Sequence, residues 1–162
     1  MKEKDNKQPG WKGMPISFKI FFVLFILNFL LSIGEPIKAF NSGTSFVGFF
    51  LFGIFAAFLS FIFLFVGDIL RLISLWKRYS WMYKFLLYFE SFIIINILLS
   101  IINIKSMVNV ALSSISQEFL PAGVEQVATI GVIVFLILTA AYHGLFLYFV
   151  YKNRELFKRE KK

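Results

Sequence analysis

Along this chain, polar residues are exiled to short stretches between four long apolar runs, at 16–33, 46–66, 85–104 and 127–150. Each run is close to the roughly 20 residues that an α-helix needs to cross a hydrocarbon core of about 30 Å. The pattern therefore predicts an all-α membrane protein, a four-transmembrane-helix bundle with spans at 16–35, 46–68, 83–104 and 126–151. A basic leader (1–15) precedes the spans and a basic tail (152–162) follows them. A cleaved signal peptide is the competing reading of the first run. That run is longer than a signal h-region of about 7–15 residues, and Glu35-Pro36 is a poor start for a mature chain, so the first span is expected to be retained.

Two connections carry patterns of their own. After span two, Leu70, Leu72, Ile73, Leu75 and Trp76 alternate with Asp68, Arg71, Ser74, Lys77 and Arg78. This reads as an amphipathic extension lying on the inner surface, with Asp68 and Arg71 as an exposed pair three residues apart. Between spans three and four, Ile104, Val108, Ala111, Leu112, Ile115 and Phe119 recur at helical spacing, with Lys105, Asn109, Ser113, Ser116 and Gln117 on the other side. Pro121 and Gly123 close the segment. It is either an outer-face amphipathic helix in the interface or an extension of span three.

Composition narrows the class further. The chain is 59% hydrophobic, with a mean hydropathy of +0.78, and its 162 residues leave no room for a folded domain outside the membrane. Seventeen Lys and Arg against nine acidic residues give +8, a balance that invites a nucleic-acid reading. The basic residues, however, flank the apolar runs, where they serve orientation and contact with anionic lipid. They crowd the leader, the second connection (Arg71, Lys77, Arg78, Lys84) and the tail, while the other two connections hold Lys38 and Lys105. Both termini are predicted on the cytoplasmic side of a cell (inner or plasma) membrane. The 23 Phe residues are read as lipid-facing bulk, and the absence of Cys removes thiolate and disulfide chemistry.

Chemistry, if present, must use polar groups inside the membrane, which are costly unless they face protein or water. Asn28, Ser32 and Glu35 form one stripe on span one; Asn96, Ser100 and Asn103 form another on span three. They either hold these two spans together or line a polar path. Glu90 and His143 are the sharper pair, at similar depth on spans three and four. They are positioned to share a proton if they meet, although Glu90 also has Arg71 and Lys84 within reach of a different pairing. Small residues on spans two and four (Gly53 with Ala57, Ala56 with Ser60, Ala140 with Gly144) permit close helix approach. The phrase 28–33 partly recurs at 96–101, as in a two-span duplication.

No metal-ligand spacing, phosphate loop, nucleophile elbow or paired catalytic Asp occurs, so neither enzyme activity, cofactor nor metal is expected. The layout resembles small uncharacterised four-span bacterial inner-membrane families. The resemblance rests on Gly10-Trp11 before span one, Trp76-Lys77-Arg78 after span two, and the tail from Tyr151 to Lys158. It implies a membrane fold and no assigned chemistry. The expectation is a protein of the lipid bilayer that binds a membrane-protein partner as an accessory, assembly or immunity-type component. The alternative is a homo-oligomer acting as a minimal transporter or channel for a small solute or ion, and no nucleic acid is involved.

Overall fold

The computed structural model describes residues 10–112 and 123–157. It is mostly helical, and three helices are long and apolar enough to cross a membrane: Gly53–Lys77, Ser80–Val110 and Val124–Lys152. A fourth apolar element is bent. Helix α1 (Ile16–Leu31) and helix α2 (Glu35–Ser42) meet at 51°. The bend follows from Pro36, which lacks an N–H and whose ring would collide with the carbonyl four residues back, so α1 cannot run straight through it. The expected continuous span over 16–35 is thereby cut at Leu31, and sixteen helical residues rise only about 24 Å.

The second apolar run also begins differently from the expectation. Its first residues form an antiparallel hairpin of β1 (Thr44–Phe46) and β2 (Phe49–Leu51), so the fold is not purely α-helical. Val47 and Gly48 form the two-residue turn with φ of 48° and 77°. Positive φ at both central positions matches the twist of paired strands, but for β-branched Val47 it is a strained conformation. Helix α3 (Gly53–Phe61) then passes through a π-helical turn (Ile62–Asp68) into α4 (Ile69–Lys77).

After a turn at Arg78, α5 (Ser80–Leu99) tightens into a 3-10 turn (Ser100–Asn103) and continues as α6 (Ile104–Leu112). The amphipathic stretch over 104–112 is thus an extension of the third long helix, packed along α7 through buried Val108. The remainder of that expected segment, 113–122, lies outside the described residues. Helix α7 (Val124–Lys152) returns along α5 and ends in a short 3-10 turn, Arg154–Phe157.

Packing is concentrated at the end of the molecule that carries Arg78, the basic end. Phe18, Phe21 and Phe25, spaced three and four apart on α1, are buried against Leu75, Leu86, Phe146 and Val150. The rings of Phe21 and Phe25 lie 4.9 and 4.8 Å from that of Phe146. These Phe residues are core rather than lipid-facing bulk, whereas Phe49, Phe55 and Phe58 are exposed as expected.

Three stretches distant in sequence meet here, around Gly10, around Trp76 and Arg78, and at Phe157. Gly10 donates its N–H to the Trp76 carbonyl at 3.0 Å, and the buried Arg78 guanidinium donates to the carbonyls of Gly13 and Gly10. Phe157 packs on Phe18 and Tyr83 at 6.0 and 5.8 Å. A side chain at Gly10, where φ is +82°, would press on the Trp76 ring.

Candidate functional site: a buried charge cluster at the foot of a cleft

Helix α4 is amphipathic in the sense opposite to a surface helix of a soluble protein. Asp68, Arg71, Ser74, Leu75 and Arg78 are buried, while Ile69, Ile73 and Trp76 are about 40% exposed. In lipid the apolar side needs no cover and the polar side does, so the charged face turns into the protein. The expectation of an exposed Asp68–Arg71 pair on the inner surface is therefore corrected. Both residues are 4% exposed and form part of a four-membered cluster.

Arg71 is its hub. Its Nε donates to Glu90 Oε1 at 2.5 Å, Nη2 to Glu90 Oε2 at 3.3 Å, and Nη1 to Asp68 Oδ1. This fork arrangement is the geometry in which Arg and a carboxylate bind most strongly. The guanidinium carbon also lies 5.1 Å from the Phe25 ring centre and 4.8 Å from that of Phe89, within cation–π range of both. Room for Phe89 is made by Gly67 in the π-helical turn. A Cβ there would come within 2.3 Å of the Phe89 ring, so the least bulky residue is required. Extra turns of this kind concentrate where a helix must re-aim side chains at a site.

Glu90, fully buried on α5, also meets His143 of α7: Nδ1 lies 2.7 Å from Oε2. A carboxylate only accepts, so Nδ1 carries the proton in this bond. The two alternative partners of Glu90, Arg71 and His143, are thus engaged at once. Lys84 is not among its hydrogen-bond or ion-pair partners. With both carboxylates ionised and His143 neutral, the cluster formally carries one negative charge in excess.

The cluster opens into a cleft of about 820 Å³. Asp68 and Arg71 from the second long helix and His143 from α7 form its foot. The stripe Asn28, Ser32 and Glu35 forms one wall, with Ser60, Thr139 and Tyr142 among the residues facing it. The remaining walls are apolar, including Phe25, Phe63 and Phe135. Glu35, at the start of α2, is half exposed and paired with Lys38 at 2.9 Å.

The second stripe does not meet the first. Asn96 Oδ1 accepts the N–H of strained Val47 at 2.6 Å, Asn103 Nδ2 donates to Ser45 Oγ at 3.0 Å, and Ser100 Oγ donates to the Asn96 carbonyl at 2.8 Å. Asn96 and Asn103 hold the hairpin against the third long helix, in place of the expected link between spans one and three, while Ser100 bonds back to its own helix. The small residues divide likewise. Ala56 is fully buried, with α3 packed against α2, whereas a Cβ added at Gly131 or Gly144 would meet nothing.

Asp68, Arg71, Phe89 and Gly67 were not singled out from the sequence as a site. The available signal was the spacing of Asp68, Arg71, Ser74 and Arg78, which puts these four on one face of α4 and its caps, with Lys77 off that face. No protein-family model, curated protein or solved structure matches this chain.

Proposed function

We propose that this chain is a four-span membrane protein whose cleft takes a small solute, as a minimal transporter or channel. The bent pair α1–α2 serves as the first span, and both ends lie on the cytoplasmic side, where Lys and Arg crowd the leader, the Arg78 turn and the tail. One observation carries the reading. Asp68, Arg71 and His143 of the charge cluster, the costliest feature of the fold in a membrane, line the same cleft as the Asn28, Ser32 and Glu35 stripe, with Glu90 buried behind them. A cluster serving packing alone gains nothing by facing an open cavity.

Flux into proteoliposomes tests it. Glu90→Gln is expected to abolish flux per reconstituted molecule while the variant still inserts and folds. Depletion of the Glu90→Gln protein, with no flux from the parent, would make Glu90 a packing residue. The open small-residue face of α7 at Gly131 and Gly144 favours a second reading, an accessory component that docks a helix of another membrane protein there. Under that reading a stoichiometric partner co-purifies in mild detergent.

A further inference from the structure

The charge balance of the cluster identifies the class of solute, given the reading of the cleft above. With both carboxylates ionised and His143 neutral, Asp68 and Glu90 outnumber Arg71, and the formal count leaves one negative charge uncompensated inside the membrane. Isolated charge there is costly, so the site favours whatever supplies one positive charge. Two sources can reach it. One is a proton on His143, whose Nδ1 is held by Glu90 and whose Nε2 has no hydrogen-bond partner among the described residues. That side chain is 11% exposed and lies on the cleft wall. The other source is a cation in the cleft. Each fills the same deficit, so the presence of one weakens the other.

The groups around His143 leave this balance intact. Glu90 faces it from α5, Asp68 and Arg71 from the second long helix, and Tyr142 from its own helix. Helix α1 contributes Phe25 and no charge, and Glu35, at a different part of the cleft, is already paired with Lys38.

The walls select the kind of cation. A volume of about 820 Å³ suits a small organic molecule. Among the described residues no three His, Asp or Glu side chains are arranged to hold a metal ion. Phe63, Phe135 and Tyr142 on the cleft wall are aromatic, and aromatic faces attract a desolvated organic cation. We propose that the cleft binds a monovalent lipophilic cation, such as an alkylammonium, in exchange for one proton released from His143 to water. The neutralised imidazole and the incoming cation leave the net charge of the site unchanged, which is the condition for proton–cation exchange.

The test uses the full chain in phosphatidylglycerol nanodiscs, titrated with tetraphenylphosphonium, which is permanently charged and has no proton to give. In weak buffer, about one proton is released per cation bound, and affinity rises with pH by up to about tenfold per unit wherever cation and proton compete for the site. Asp68→Asn removes the excess negative charge and lowers affinity at least about tenfold, without proton release. Glu90→Gln does the same and serves if Asp68→Asn fails to fold. His143→Asn abolishes proton release and flattens the pH dependence. Cation binding without proton release in the parent protein, or unchanged affinity in both carboxylate variants, overturns the proposal.

Triphenylphosphine oxide, neutral and of similar shape, separates the two levels. If it binds as tightly as the cation, the cleft stands and the charge selection falls; if neither probe binds, both fall. Competition by phosphatidylethanolamine in the nanodisc assigns the ammonium to a lipid headgroup. Competition by a soluble alkylammonium assigns it to a free amine, and either supports the cation site.

Discussion

Replacing Arg71 by Met tests the hub of the cluster with little change in side-chain length. The variant loses the forked bond to Glu90 (2.5 and 3.3 Å), the contact to Asp68, and two aromatic faces at 5.1 and 4.8 Å. Removing one partner of a buried ion pair costs about 3–5 kcal/mol, chiefly because the remaining charge is stranded. Here two carboxylates are stranded together, so Arg71→Met is expected at the upper end of that range. Glu90→Gln, by contrast, leaves Arg71 matched with Asp68, and the amide still accepts a hydrogen bond. Its expected cost is about 1–3 kcal/mol.

The pair predicts a reversal of sign. Glu90→Gln destabilises the parent protein but stabilises the Arg71→Met background, because it removes one of the stranded charges. Reversible unfolding of the four proteins in mixed micelles at neutral pH measures this cycle. A loss under about 1 kcal/mol for Arg71→Met, or simple additivity in the double variant, would refute the charge-matching argument.

Two further outcomes follow from the same geometry. Gly67→Ala puts a methyl within 2.3 Å of the Phe89 ring and is expected to lower stability by about 1–3 kcal/mol in the same unfolding assay, with partial rescue by Phe89→Leu. Asn96→Leu leaves the Val47 amide without its acceptor; amide exchange over 44–51 should accelerate while that of α7 is unchanged.

The long apolar helices were legible in the sequence because length and hydropathy dominate in lipid. The breaks inside the first two runs were less so. Pro36 signals the bend between α1 and α2 only weakly, since Pro is also tolerated in membrane helices. The hairpin at 44–51 is as apolar as a helix would be, and its evidence is a single turn at Val47-Gly48 held by Asn96, 49 residues away.

The cluster was half legible. Glu90 and His143 stood out as ionisable residues deep in apolar runs. Asp68 and Arg71 were hidden by a habit learned from soluble proteins, that the charged face of an amphipathic helix turns outward. In lipid the same pattern on α4 buries its charges. Phe89 and Gly67 had no signal of their own; their roles depend on packing between two helices.

The central claim, that the cleft over the charge cluster is open to water and solute, is tested most directly by thiol accessibility. The chain has no Cys, so single cysteines can be read against an empty background. Ser32→Cys, Ser60→Cys and Thr139→Cys place thiols on the cleft wall, and Leu30→Cys and Ile130→Cys place them on exposed apolar faces that lipid would cover. In native membrane vesicles, a membrane-impermeant maleimide should label the three cleft positions well above the two controls, and tetraphenylphosphonium should slow that labelling. Equal, slow labelling at all five positions would show a cleft closed to water and would contradict the account.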